Sequence, residues 1–159
     1  VDINMTIHQK NRIGNVATAV RRTNDELIDS GLSELVDIIR KSMKMPKSGR
    51  MYGAHRASAP GQPPAIWTGQ LYASISKQRT GPTSGAVYTG VEHARYLEYG
   101  THKRGKLRRS KTGQFLGGHI DAGMRPRPFM RPAARKMRLK WKVMSQERLA
   151  VVIHRAARG

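Results

Sequence analysis

The sequence predicts a chain of mixed class, helical towards both ends with short strands and turns between. Two periodicities carry this. Apolar residues recur at three- and four-residue spacing over 15–44 and again after Arg131, the pattern of helices with one buried face. Between them, short runs rich in β-branched and aromatic residues are cut by Gly and Pro, as hairpins are. A third observation is charge. Thirty Lys and Arg against ten Asp and Glu give a formal net charge of +20. Up to Met45, six acids nearly balance seven bases; from His102 onward only Asp121 and Glu147 face seventeen. The excess therefore belongs to the second half, and a polyanion, an acidic protein surface or a membrane surface would each answer it.

With 159 residues, 38% hydrophobic and 6% aromatic, a single domain over 1–159 with a modest core is expected. No apolar run approaches the roughly 20 residues that cross a bilayer, so no transmembrane helix is expected. The alternating start Val1-Asp2-Ile3-Asn4 does not read as a signal peptide. The absence of cysteine excludes disulfides and thiolate metal sites. An intracellular site of synthesis fits these features.

Val1, Ile3, Met5 and Ile7 alternate with polar residues and predict a half-buried strand, with a turn at 11–14. Over 15–44, Val20, Leu27, Ile28, Leu32, Leu35, Val36, Ile39 and Met43 share one helical face. Thr23 and Glu26 have capping-box spacing, Ser30-Gly31 marks a point of weakness in the helix, and Pro46 ends it. Residues 46–66, with four prolines and three glycines, read as an extended connector. Thr68 or Gly69 caps a helical turn, and the chain is extended from Ser74 to Arg79. Thr80 to Gly85 is a turn by composition, and Ala86 to Val91 returns, making a hairpin with a longer loop. Ala94 to Tyr99 is a short aromatic segment whose Tyr96, Leu97 and Tyr99 suit a sheet surface; Gly100-Thr101 stops it. Residues 102–124 form a basic, Gly-rich loop insertion with Thr112-Gly113 at the tip of a second hairpin. The last helix begins at Arg131-Pro132 with Pro132 at its first position. Its buried stripe runs through Met137, Trp141, Met144, Leu149, Val152, Ile153 and Ala156, with a bend near Ser145. No heptad run is long enough for a coiled coil.

The candidate chemistries fail on spacing. Gly105 to Thr112 has the length of a phosphate-binding loop, but Ser110 stands where the second glycine must let backbone amides close on phosphate. Glu92, His93, Glu98 and His102, or His119 with Asp121, lack the two-histidine helical spacing of a catalytic zinc site. Ser74, Ser76 and Ser110 have no histidine base in a recognisable arrangement. Nothing points to an enzyme, a cofactor or a metal. Lys and Arg at this density would hold a phosphate backbone without sequence preference. Base reading would need exposed aromatics among them, and Phe115 is the only aromatic in the loop.

Three segments in order carry a resemblance. The first is Pro60-Gly61-Gln62-Pro63-Pro64 leading to Thr68-Gly69-Gln70-Leu71 and Ser74-Ile75. The second is Ala94-Arg95-Tyr96-Leu97-Glu98-Tyr99-Gly100-Thr101. The third is Arg127-Pro128-Phe129-Met130-Arg131-Pro132-Ala133 before a terminal helix. Following a long amphipathic helix, they resemble the tail-completion family of tailed bacteriophages, the head–tail joining or neck proteins. The likeness runs from about Asn15 to the end. Two departures stand out: Trp67 occupies the place before Thr-Gly where many members carry Asp, and the 102–124 loop is longer and more basic than the family's short link.

The resemblance implies an α+β fold, a small, mainly antiparallel sheet packed by the long N-terminal amphipathic helix and the C-terminal helix. It implies a structural virion protein, made in the host cytoplasm. Its place would be a homo-oligomeric, six-fold ring at the head–tail junction, between neck and tail-tube proteins, with DNA passing through. It also implies that the protein is not an enzyme and binds no cofactor. Tyr96, Tyr99 and Phe129 would anchor the loop ends to the sheet, Gly100 would allow the turn, and Pro128 and Pro132 would set the approach to the last helix. Lys103, Arg104, Lys106, Arg108, Arg109 and Lys111 would face an acidic neighbour or genomic DNA. The alternative from the residues alone is a small basic, sequence-nonspecific nucleic-acid-binding protein of packaging or chromatin-like type. A membrane-surface binder ranks below both, because the loop bases lack bulky apolar companions.

Overall fold

The structure is a computed structural model that describes residues 2–102, 104–105, 111–112, 120–121 and 123–158, with side chains for 14, 16–102, 111–112 and 123–155. The fold is α+β, with a long helix at each end. In chain order it comprises α1 (Asp2–Lys44), β1 (Met51–Tyr52), β2 (His55–Arg56), α2 (Gln70–Ser74), β3 (Ile75–Gly81), β4 (Ser84–Thr89), α3 (His93–Tyr99), β5 (Arg104–Gly105), β6 (Ile120–Asp121) and α4 (Met130–Arg158). The strands pair two by two, β1 with β2, β3 with β4 and β5 with β6. The chain divides into two compact units. One comprises Val1–Ile38, Ser76–Tyr88 and Ala134–Gly159; the other comprises Ile39–Ile75 and Thr89–Ala133.

The first unit buries Leu27, Ile28, Leu32 and Val36 of α1 with Met137 of α4, which is the stripe that the helical period marks out. The helices approach closely at Gly31, where a Cβ would overlap the Trp141 ring. At Gly85 of β4 a Cβ would lie 2.5 Å from Leu32 Cδ1, so the hairpin also meets α1 through a glycine. Ion pairs frame this core. Arg79 Nη2 donates to Asp25 Oδ1 at 2.6 Å, and Arg79 Nη1 lies 3.5 Å from Asp29 Oδ1. The hydrogen bond that Arg79 donates to Asp25, then the charges of Asp25 and Asp29, raise the Arg79 pKa above its ordinary value. Lys140 pairs with Glu34, and Arg148 approaches Glu26.

The second unit buries Ile39, Met43, Leu71, Ile75, Ala94, Phe129 and Ala133. Arg40 Nη2 donates to the Ile75 carbonyl at 3.1 Å, and the Arg40 and Lys44 cations lie over the Tyr72 ring. Lys47 donates to the Ser42 carbonyl at the end of α1, and partial burial lowers its pKa. Gly69, at φ 78°, caps α2 as its sequence position suggests. The Ser74 and Thr89 hydroxyls share a hydrogen bond of 2.6 Å.

Several expectations need correction. The N-terminal strand and the turn at 11–14 are absent, because α1 runs unbroken from Asp2. A strand there would need a ladder partner from elsewhere in the chain, whereas a helix closes its own backbone hydrogen bonds. The same continuity removes Thr23 as a cap. The 46–66 stretch holds a hairpin with Met51 opposite Arg56 and Tyr52 opposite His55, turned by Gly53 at φ 60°. Gln62 Oε1 ties its surroundings, accepting from Ser48 N–H and Ala59 N–H. The β3–β4 loop is the two residues Pro82 and Thr83, shorter than expected. The aromatic segment at 94–99 is helical. Pro132 is the third residue of α4 and not the first, and no break interrupts α4 near Ser145. Of the stripe foreseen on α4, Leu149 and Ile153 are exposed.

Candidate functional site

The second unit brings together two of the segments singled out in the sequence, 94–101 and 127–133. Backbone bonds join them. Arg127 N–H donates to the Leu97 carbonyl at 2.7 Å and Thr101 N–H to the Met124 carbonyl at 2.9 Å, while Met124 N–H reaches Thr101 Oγ1 at 2.7 Å. Further out, Arg104 opposes Asp121 and Gly105 opposes Ile120 in an antiparallel ladder, and Lys111-Thr112 is a turn. The basic loop thus leaves and re-enters the unit through a hydrogen-bonded stem.

The stem is held by Glu98. This carboxylate is 6% exposed and accepts the N–H groups of Phe129 (2.8 Å), Met130 (3.0 Å) and Arg131 (2.9 Å). A helix leaves four N–H groups without internal partners at its start. In α4 three of them point at Glu98, and the fourth position is Pro132, which has no N–H. All four are therefore accounted for, and a negative charge lies where the helix dipole favours one. Gly100 ends α3 at φ 76° and ψ −177°, a region reserved for glycine. A Cβ there would stand 2.5 Å from the Met124 carbonyl oxygen. Arg127 Nε donates to the Ser58 carbonyl, and Gly61 N–H to the Pro126 carbonyl. The 58–61 stretch therefore supports the frame from a third side.

The residues expected at the site divide into three groups. Phe129 is 1% exposed, in the core of the unit; Pro128 and Pro132 are half-buried. Tyr96 and Tyr99, expected to anchor the loop ends on a sheet, lie instead on helix α3 and are 37% and 59% exposed. The inward face of this short helix is taken by Ala94 and Glu98, so the tyrosines point away. Arg131 lies over Tyr99 at 4.4 Å and Arg95 over Tyr96 at 5.4 Å. Arg95, Tyr96 and Tyr99, with Thr101, His102 and Gly123, surround an open cavity of about 580 Å³ at the root of the loop. Of the loop bases, Lys103, Lys106, Arg108 and Arg109 lie outside the described residues. Arg104 is placed by its backbone in β5, and Lys111 is exposed.

A second open cavity, about 410 Å³, lies where the first of the three segments passes, with Trp67, Tyr72, Leu71, His93 and Arg127 in its wall. Trp67 is 65% exposed and meets His55 edge to face at 4.3 Å. Glu98 is committed to the α4 amides while His93 faces this cavity, so the structure separates two members of the metal set weighed above. His102 lines the loop-root cavity instead, and His119 lies outside the described residues. Sequence reasoning weighed Glu98 only as a metal ligand and missed it as the acceptor of the α4 amides, and it gave Ser58 and Arg127 no role.

No protein-family model, no curated protein and no solved structure matches the chain.

Proposed function

We propose that this protein is a structural virion protein of a tailed phage. In this reading it completes the tail or joins head to tail, as a six-fold ring between tail tube and neck through which DNA passes. One observation carries it. The Tyr-Leu-Glu-Tyr-Gly-Thr segment and the Arg-Pro-Phe-Met-Arg-Pro-Ala segment, which carry the resemblance, interlock through Glu98 and the amides of 129–131. Residues 31 to 33 positions apart meet in one bonded unit, as expected if the two segments act together to hold a loop out from a rigid frame. Chemistry plays no part in this role. Each copy contributes a modest contact, and repetition around a ring multiplies modest affinities. The basic loop then faces the DNA or an acidic neck or tail protein.

A second reading, a small basic nucleic-acid-binding protein without sequence preference, is favoured by the Arg95–Tyr96 and Arg131–Tyr99 pairs at the loop root. Exposed tyrosines between guanidinium groups offer stacking faces beside a phosphate-binding loop. Replacing Lys103, Arg104, Lys106, Arg108, Arg109 and Lys111 together by Ser separates the readings. For a head–tail joining protein whose loop is incidental to assembly, the substituted chain still completes particles in a phage lacking its own copy. Loss of particles together with a collapse of DNA affinity and of its salt dependence would overturn that and favour the second reading.

A further inference from the structure

The outward side of α4 carries a second surface. Leu139, Val143 and Ile153 are 77%, 53% and 60% exposed. With the exposed Gln146 and Ala150 they advance by four, three, four and three residues. That is the 3.5-residue period of a helix seam that packs on another helix. Single exposed aliphatics need no explanation, but three of them on one heptad line do. The face turned towards α1 is a different one, carried by Met137 and by Trp141 against Gly31. The outward line is therefore surplus to the packing of the unit.

We propose that this seam docks an amphipathic helix of another protein whose apolar stripe is flanked by acidic residues. Charge selects this occupant. Arg135 and Lys142 flank the line, Lys136 continues it three residues before Leu139, and all three are exposed; Glu147 is the only acid in α4. A second copy aligned in parallel would set Lys142 near the other copy's Glu147, but would bring Lys136 onto Lys136 in a chain of net charge +20. Like charges facing across such a seam disfavour the pair. A membrane surface fits poorly as well. The line is narrow, is interrupted by Gln146 and holds no aromatic residue, whereas interfacial helices present a broad apolar face with Trp, Phe or Leu. Two heptads are too few to hold a free helical pair together but suffice for a docked one, which gains from the preformed α4.

The test uses the full chain and a synthetic helix of about three heptads, with Leu and Ile on its seam and Glu on both flanks. The Glu-flanked peptide is expected to bind, and a Lys-flanked version is not. The Leu139→Ser/Ile153→Ser double variant should weaken binding by about tenfold or more, with an unchanged thermal melt because both side chains are already in water. Equal binding of the two peptides, no binding of the Glu-flanked one, or no effect of the double variant would overturn the proposal. So would sedimentation showing dimers that the double variant dissolves, which assigns the seam to a second copy. Binding to phosphatidylserine vesicles that the double variant loses would assign it to a membrane. The assembly reading is untouched by failure here, because it rests on the other unit.

Discussion

Replacing Glu98 by Ala removes the acceptor shared by three amides at the start of α4. The Phe129 N–H is buried, and a buried donor left without a partner costs about 1–3 kcal/mol. The Met130 and Arg131 N–H groups are part-buried, so water recovers some of their loss. What remains there is the value of a helix cap, about 1 kcal/mol. Relief from holding a carboxylate out of water offsets part of the sum. The expected loss is therefore about 3 kcal/mol. Glu98→Gln keeps one oxygen but turns an NH₂ towards the remaining donors, and should lose about half as much. Urea unfolding reads the loss as a shift in midpoint at constant slope. Amide exchange at 129–131 reads it locally, as a loss of protection of about a hundredfold for the Ala variant. A loss below about 0.5 kcal/mol, the range of an ordinary surface change, with unchanged exchange would refute Glu98 as the lock of the loop stem.

Gly100→Ala places a Cβ against the Met124 carbonyl in a backbone region closed to alanine, so a loss of about 2–3 kcal/mol in the same unfolding assay is expected. Gly31→Ala gains roughly 1 kcal/mol of helix propensity. It also forces the Trp141 ring aside, and the net result should be a lower melting temperature and a shifted Trp emission. Pro132→Ala adds a fourth N–H beyond the three that Glu98 accepts, and should cost under about 1 kcal/mol, measured as a small midpoint shift. Arg79→Met breaks the pairs with Asp25 and Asp29. As these are largely solvent-exposed, stability should fall slightly, and less at high salt.

The long elements were legible because their periods are long. Over 15–44 the apolar stripe repeats enough times to exclude a strand, and Pro46 marks the stop one residue beyond Met45 and two beyond the helix end at Lys44. Gly69 announced itself through its backbone needs, and the 80–85 composition placed the β3–β4 turn but made it longer than the two residues Pro82 and Thr83. Short elements did not. Val1 to Ile7 alternates over too few residues to decide between helix and strand, and no strand partner is visible in sequence. Ala94 to Tyr99 looks strand-like because of its tyrosines, yet these lie on the outer face of α3 and carry no packing information. Gly31 has the same symbol whether it weakens a helix or admits a neighbouring ring. Glu98 was the hardest to foresee. Its partners are backbone amides more than thirty positions away, and main-chain donors leave no letter in a sequence. The one local hint is Arg131-Pro132, which signals a helix start that needs an acceptor.

Electron microscopy of particles made by a phage that lacks this gene tests the central claim most directly. Filled heads and finished tails lying apart are the predicted result, since a joining protein acts after both are built. Empty heads would contradict it and turn the basic half of the chain towards DNA packaging. Intact, infectious virions would remove the assembly role altogether.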